Sequence, residues 1–348
     1  MSRFVAVTAT VVALSGLSAL LVRSFVASSP PRRSAAGWQV IRPPHEVSAL
    51  AVREDVVWAG GRDGVWGIDR ATGAVRISLQ ADVPLRYVRA LLVDPSGALW
   101  IGHDLGLTRY AQGACRTFSH RDGLPDDRVN ALCLDRRQRL WVGTWAGAAV
   151  REGDAWRVMT TADGLADDMV NVILADREGG MWLGSYDAPR GGLTHLAGGV
   201  AERYTPAEGL PHSNVTSVLQ DRDGRVWVGT GLLDRGGAAQ FGLSAVGWTL
   251  QRVLTDRDGL AGRKVRSLFQ DRSGALWFGS EYDGLAVLRD GRFRVLTTSD
   301  GLSNNEVKAM LQDASGDLWL ATRDGITRLQ AAAWRTLTAA APHRDTSG

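Results

Sequence analysis

Seven polar residues each stand directly after a valine that opens an otherwise apolar segment: Ser48, Arg89, Asn130, Asn171, Thr216, Arg266 and Lys308. Cationic, amide and hydroxyl groups of this kind can hold an anion or a hydroxyl-rich molecule through hydrogen bonds. A buried segment tolerates a polar side chain only where that side chain finds a partner or water. We therefore expect these residues to line a solvated channel. Two interpretations stay open: a lining without a ligand, or a somewhat basic funnel for an anionic or glycan-like ligand.

A second set of residues follows a tryptophan-containing segment in each repeat and varies from one repeat to the next: Arg62, Asp104, Trp145, Tyr186, Gly231, Glu281 and Arg323. The sequence on either side of them repeats. Diversity on a repeated frame is typical of a binding rim, because function is carried by loops on a rigid scaffold. Drift at unconstrained surface loops would look similar. The longest loops, residues 186–192 (which include Arg190) and 231–238, should form a raised lip.

Catalytic and cofactor motifs are missing from the sequence. It contains no Gly-x-Ser-x-Gly, His-Glu-x-x-His or Cys-x-x-Cys motif, and no glycine-rich phosphate loop before a helix. We therefore expect no catalytic residue, no cofactor and no metal site. The net charge of +3 is small and evenly spread, which does not favour nucleic acid as a partner.

A tryptophan within a Leu-Trp-Val-Gly-Thr-like segment recurs every 41 to 50 residues, at positions 58, 100, 141, 182, 227, 277 and 319. Each unit contains four short segments of strand character separated by turn sequences such as DPSG and DRSG, and Asp-Gly-Leu connects most units. Radial repetition protects such sheets from exposed edges. The pattern predicts an all-β, seven-bladed β-propeller of four-stranded blades over residues 38–338, with the seven tryptophans packed between blades.

The repeat DGLPDDRVNALCLDRRQRLWVGTWAG resembles the two-component regulator propeller repeat, and the resemblance covers about residues 38 to 338. This family forms extracytoplasmic sensor regions of bacterial hybrid histidine kinases. The resemblance implies a non-catalytic propeller that binds a polar small molecule or a partner signalling protein. No kinase segment follows in this sequence, so we expect any signalling to pass through a separate protein.

Two other functions stay open. Propellers also serve as structural platforms that dock other proteins, and a flat polar face suits that use. Streptogramin lyases are seven-bladed propellers with tryptophan-rich repeats and a metal-assisted histidine base. By this resemblance His103 and His212 would lie on one face with Glu281 as a metal ligand, although their neighbours match no lyase motif and exposed loop positions explain both histidines.

The N-terminal segment differs from the rest of the chain. Residues 4–22 carry no charge and are about long enough to span a bilayer. We predict a hydrophobic helix that acts as a signal anchor or cleaved signal peptide within residues 1–27, a polar linker at 28–37 and a disordered tail at 339–348. The propeller would then be extracytoplasmic, and would contact the membrane only through its N-terminal segment.

Two segments compete for the outermost strand of the seventh blade: one around Trp38, before the first blade, and one around Trp334, near the C-terminus. The C-terminal segment closely follows its neighbouring strand, so pairing there closes only a short loop. We therefore expect the Trp334 segment to take this place and the Trp38 segment to lie beside it.

Overall fold

The computed structural model describes residues 32–33, 37–79, 81, 83–186 and 190–339. Two strands, β1 (Arg32–Arg33) and β2 (Trp38–Ile41), precede the first blade. Blade one contains β3 (Val47–Arg53), β4 (Val56–Gly61), β5 (Gly64–Asp69) and β6 (Val75–Leu79). Blade two contains β7 (Ala90–Val93), β8 (Leu99–His103), β9 (Gly106–Ala111) and β10 (Ala114–Phe118). Blade three contains β11 (Val129–Leu134), β12 (Leu140–Thr144), β13 (Gly147–Glu152) and β14 (Ala155–Met159).

Blade four contains β15 (Val170–Ala175), β16 (Met181–Ser185), β17 (Leu193–Ala197) and β18 (Val200–Tyr204). Blade five contains β19 (Val215–Gln220), β20 (Val226–Leu232), β21 (Arg235–Ser244) and β22 (Gly247–Leu254). Blade six contains β23 (Val265–Gln270), β24 (Leu276–Ser280), β25 (Leu285–Arg289) and β26 (Arg292–Leu296). Blade seven contains β27 (Val307–Gln312), β28 (Leu318–Thr322) and β29 (Gly325–Leu329), and a helix, α1 (Ala331–Ala339), ends the described chain.

The blades form a closed ring around a central channel. Within each blade, neighbouring strands pair antiparallel, and the first strand contacts the first strand of the next blade. The ring closes because β27 contacts β3. The predicted all-β, seven-bladed propeller is confirmed.

The seven repeated tryptophans form the packing layer between blades. None of them is more than 5% exposed. The small residue two positions after each tryptophan permits this packing: a Cβ added to Gly143 would lie 2.9 Å from Cγ1 of Val170 in the next blade. The prediction that these tryptophans are core residues is confirmed.

An aspartate at the end of the inner strand fixes each tryptophan in six of the seven blades. Its carboxylate accepts a hydrogen bond from the indole N–H at 2.8–3.1 Å and also holds the intervening turn. At Asp313, burial by itself raises the pKa of the carboxyl, but hydrogen bonds from Ser315, Trp319 and the backbone of Asp317 lower that pKa below its usual value. Blade one has Val52 at this position, six residues before Trp58.

The Asp-Gly-Leu connectors have a specific conformation. In the connector after blade three, Thr160 caps a short 3-10 turn, the Asp163 carboxylate accepts a hydrogen bond from the Thr160 backbone N–H, and Gly164 adopts a φ of 107°. A left-handed φ of this kind favours glycine. Leu165 then turns inward and is 1% exposed. The connector therefore combines a capped turn with a hydrophobic anchor.

The ring is closed by its N-terminal strand, and the expectation that the Trp334 segment would do so is wrong. Residues 38–41 of β2 pair antiparallel with residues 326–329 of β29, and β1 adds a fifth strand outside β2. Trp334 lies instead in α1, where its indole N–H donates to the carbonyl of Gly316 at 2.9 Å. The helix buries Trp334 against the same core cluster as Trp38, so both terminal segments cover blade seven.

The proposed leader, residues 4–22, and the predicted tail beyond residue 339 lie outside the described residues. Within the described part of the chain, none of the helices has the length and apolar character needed to cross a bilayer. Residues 32–33, which we assign to the linker, form β1.

Candidate ligand-binding cavity

A β-bulge places the polar residue that follows each opening valine. In six blades the register shifts between this valine and the residue two positions later, so the polar residue between them has no partner opposite. A bulge redirects a side chain away from the regular alternation of a strand. In blade two, Arg89 occupies this position just before β7. All seven of these residues line one cavity at the mouth of the channel.

Three of these residues also link neighbouring blades. The side-chain amides of Asn130 and Asn171 donate to the carbonyls of Val170 and Val215, at 3.2 and 3.1 Å, and the Thr216 hydroxyl donates to the carbonyl of Val265. Each acceptor belongs to the next blade. These hydrogen bonds stabilise the ring around the channel and occupy one N–H of each asparagine amide and the hydroxyl hydrogen of Thr216.

The cavity has a volume of about 360 Å³. Besides the seven channel residues, its wall contains Glu46, Arg62, Tyr87, Val88, Trp145, Met169 and Tyr186. This volume lies in the range of small-molecule sites.

The cationic groups lie on one side of this cavity. They come from blades six, seven, one and two: Arg266, Lys308, Arg62 and Arg89. Lys308 is buried and pairs with Glu46 at 3.3 Å and with Glu306 at 3.5 Å. Arg89 pairs with Asp104. Arg266 is half-buried and makes no hydrogen bond or ion pair with any residue that the structure describes.

The aromatic groups of the wall come from blades two to four, and Tyr87 of blade two lies beneath the guanidinium of Arg62, 5.9 Å from the centre of its ring. The Trp145 indole N–H donates to Oδ1 of Asn130 at 3.1 Å, and the guanidinium of Arg128 lies 4.1 Å from the centre of the Trp145 ring. Arg128 is itself held by two hydrogen bonds to the carboxylate of Asp126, at 2.9 and 2.7 Å. The Tyr186 hydroxyl accepts a hydrogen bond from the ammonium of Lys264 at 3.2 Å.

The structure brings together only part of the predicted variable rim. Arg62, Trp145 and Tyr186 line the cavity. Asp104 pairs with Arg89 behind the wall, whereas Arg323 and Arg190 are exposed outside it. Glu281 pairs with Lys264 instead of facing the cavity. Residues 187–189 of the proposed lip lie outside the described residues.

Sequence reasoning missed the residues directly before each opening valine. Glu46, Tyr87 and Met169 occupy this position and line the cavity. The same position is Arg128, Asn214, Lys264 and Glu306 in the other blades. This variability on a repeated frame is the signal that identified the rim, so the same comparison would have found this third set.

A groove of about 520 Å³ lies beside the cavity, between blades five and six. The exposed side chains of Leu233 and Tyr282 line it, together with Asp234, Arg263 and Lys264. The hydrogen bond from Lys264 to Tyr186 connects the wall of the groove to the wall of the cavity.

The histidines expected from the lyase resemblance do not form a catalytic arrangement. His103 is fully buried, contrary to an exposed loop position; its Nε2 bonds the Thr108 hydroxyl at 2.9 Å and its Nδ1 accepts from the backbone of Leu105 at 3.2 Å. His212 accepts a hydrogen bond from the backbone of Asn214 at Nδ1. Among the described residues, no three His, Cys, Asp or Glu side chains are grouped to hold a metal ion.

Comparison with known families gives a match to the two component regulator propeller over five segments, residues 123–146, 164–187, 209–231, 259–282 and 301–324. Each segment begins at the glycine of a connector and contains the inner strand and the repeated tryptophan of the blade that follows. No curated protein matches the chain in sequence.

Several solved structures share the fold. One is the extracellular domain of BT3049 from B. thetaiotaomicron, assigned to a hybrid two component system, with a TM-score of 0.75 and 19% identity over 92% of this chain and 45% of that one. The extracellular domain of BT4673, from the same organism and assigned to a one component system, has a TM-score of 0.67 and 18% identity, over 88% of this chain and 40% of that one. Virginiamycin B lyase from Staphylococcus aureus has a TM-score of 0.64 and 13% identity, over 84% of this chain and 98% of that one. The chain spans less than half the length of the first two, and identities this low indicate the fold alone.

Proposed function

Because the chain is built from two-component regulator propeller repeats, we propose that it is a non-catalytic, sensor-type binding propeller that takes a small anionic molecule at the mouth of its channel. The guanidinium of Arg266 is the observation that carries this proposal: it lines the cavity and interacts electrostatically with Glu281, but forms no hydrogen bond or contact ion pair with the described residues. A cation in a concave wall whose N–H groups are not used by the protein is suited to a charge-assisted hydrogen bond with an anion.

The charge balance of the wall supports an anionic ligand. Four cations line the cavity, and Glu46 is the carboxylate that lines it with them. Asp104 forms an ion pair with Arg89, and Glu306 forms one with Lys308; neither carboxylate lines the cavity. Glu46 also pairs with Arg62 at 3.6 Å, so Arg266 is the wall cation without a contact ion pair among the described residues. A positive charge exposed in this way attracts anions and raises their rate of association.

We also propose an extracytoplasmic location. The two solved propellers from B. thetaiotaomicron are extracellular domains. The uncharged segment at residues 4–22 would provide export or anchoring. A protein-docking role is the second candidate function, favoured by the exposed Leu233 and Tyr282, which are 70% and 59% exposed, on the groove beside the cavity.

Titration calorimetry with a panel of carboxylate, phosphate and neutral polyol probes tests the proposal. We expect one or more carboxylates to bind, and the Arg266→Gln variant to lose at least tenfold in affinity. Arg252→Gln is the matched control, because it removes the same charge from an exposed position on β22, outside the cavity. Equal affinities of the two variants for the best anionic probe, or tighter binding of the neutral probes, would contradict the proposal.

A further inference from the structure

Trp145 and Met169, in blades three and four, lie across the channel from Arg266 and Lys308, in blades six and seven, and we infer from this arrangement that the ligand is a planar aromatic carboxylate rather than a saturated sugar. This inference rests on the proposed function and specifies the class of anion. It follows from three features of the wall: its sidedness, the use of its neutral polar groups, and the way its aromatic rings are held.

The first feature is the sidedness of the wall at Trp145. Trp145 and Met169 belong to blades three and four, whereas Arg266 and Lys308 lie on the other side of the ring, in blades six and seven. Tyr87 and Tyr186 lie next to cations, Arg62 and Lys264. A ligand with a flat apolar end and an anionic end would contact Trp145 and Arg266 at once, because stacking requires a ring face and the carboxylate requires a cation.

The second feature is that three of the neutral polar side chains already make hydrogen bonds within the protein. The amides of Asn130 and Asn171 donate across blade boundaries, and Oδ1 of Asn130 accepts the indole N–H of Trp145. The Thr216 hydroxyl donates to a backbone carbonyl of the next blade. A sugar presents several hydroxyl groups, and a site that discriminates for them needs polar partners placed to bond them. The internal hydrogen bonds of Asn130, Asn171 and Thr216 take up part of the capacity that such a site would need.

The third feature is the preorganisation of Trp145. The ring is held at its edge by Asn130 and over its face by Arg128, which the Asp126 carboxylate fixes in turn. Arg128 is not part of the cavity wall. A cation on one face draws the π electrons of the ring toward it, so the remaining face becomes less electron-rich. Such a face favours an electron-rich or anionic planar group over the C–H groups of a sugar.

Two monoanionic probes, 4-hydroxybenzoate and D-glucuronate, test this inference by titration calorimetry. We expect 4-hydroxybenzoate to bind at least tenfold more tightly. The Trp145→Ala variant should lose about tenfold for the aromatic acid and less than threefold for glucuronate, with an unchanged melting temperature, because Trp145 is 37% exposed.

Arg128 is a positioning residue in this scheme, and its variants give a second test. Arg128→Met should weaken 4-hydroxybenzoate about two- to fivefold, which corresponds to a cation–π contact. Arg128→Lys should retain most of the wild-type affinity for 4-hydroxybenzoate. If Arg128 acted only by filling space, Arg128→Met would also retain that affinity.

The outcomes separate the inference from the proposed function. If glucuronate binds more tightly and requires Arg266, the anion site stands and the aromatic assignment is wrong. If the affinity for 4-hydroxybenzoate does not depend on Arg266, the proposed function fails. If neither probe binds at millimolar concentration, both fail.

Discussion

Trp38, in the N-terminal strand, lies directly opposite Leu329, in the last strand of the seventh blade. Both side chains are buried in the same core cluster, together with Trp334 of α1. The N-terminal strand thereby joins the two ends of the ring, and no blade is left open at this joint. Pairing over so long a separation in sequence costs chain entropy, and the burial of a large aromatic side chain offsets part of that cost.

Removing the Trp38 side chain should weaken the whole ring. We expect Trp38→Ala to lower the free energy of unfolding by about 3–5 kcal/mol, because it leaves a cavity at the closing joint. Gln39→Ala on the same strand is the control; it removes a peripheral hydrogen bond to the Thr72 carbonyl and should cost about 1 kcal/mol or less. Urea denaturation measures both values. Equal effects of the two substitutions would mean that β2 contributes no anchoring side chain.

Trp141 and Trp145 should respond in opposite ways, although they lie four residues apart in one blade. Trp141 is 2% exposed and bonded to Asp135, whereas Trp145 is 37% exposed in the cavity wall. We expect Trp141→Ala to reduce stability by about 3–5 kcal/mol, and Trp145→Ala to reduce it by less than 1 kcal/mol while weakening ligand binding. Thermal unfolding and calorimetry on the same two variants distinguish these roles. If Trp141→Ala lowered the free energy of unfolding by less than about 1 kcal/mol, the assignment of Trp141 to the core would be contradicted.

Stability should decrease as the pH falls from about 6.5 to 4, and His103 should account for part of this decrease. Burial lowers the pKa of His103 from 6.5 to about 4. Between these values the unfolded chain binds a proton at His103 and the folded protein does not. Stability from the neutral imidazole is therefore complete above pH 6.5 and declines below it, by at most about 1.4 kcal/mol per pH unit.

Urea titrations at pH 7, 6 and 5 measure this dependence. His103→Gln should flatten the profile, because it removes the buried imidazole whose pKa is lowered. The lowered aspartate pKa values act below this range, since their stabilising effect is lost only as the pH falls below about 3.8. An identical slope for wild type and His103→Gln would contradict the prediction.

The sequence predicted the ring because tryptophan, glycine and turn residues each recur with one period. It also indicated which side chains face the channel, because a polar residue after the valine stands out in an apolar strand. Closure was predicted wrongly, since the local rule of short loops favoured the Trp334 segment. The packing of Trp38 and the helical conformation around Trp334 depend on tertiary contacts that no repeat reveals.

The sequence also did not indicate which of the polar channel residues bond the protein and which are available to a ligand. Asn130, Asn171 and Arg266 occupy equivalent positions, and the pattern gave no reason to separate them. In the structure, these residues differ in the hydrogen bonds that their side chains make. The asparagine amides bond the backbone of the next blade, whereas Arg266 bonds none of the described residues.

Substitution of Asn171 should therefore lower stability more than anion affinity, and substitution of Arg266 should do the reverse. Asn171→Ala removes the hydrogen bond to the Val215 carbonyl, which lies at a blade boundary, and should lower the free energy of unfolding by about 1–2 kcal/mol. It should change anion affinity by less than twofold, because the amide is neutral and one of its N–H groups is already bonded to the next blade. Arg266→Ala should leave stability within about 0.5 kcal/mol and reduce anion affinity at least tenfold. Urea denaturation and titration calorimetry on both variants, with the tightest-binding carboxylate, measure the four values. If Asn171→Ala weakened binding as strongly as Arg266→Ala, the channel residues would act as one ligand-binding ring, and the separation of structural from ligand-facing positions would be wrong.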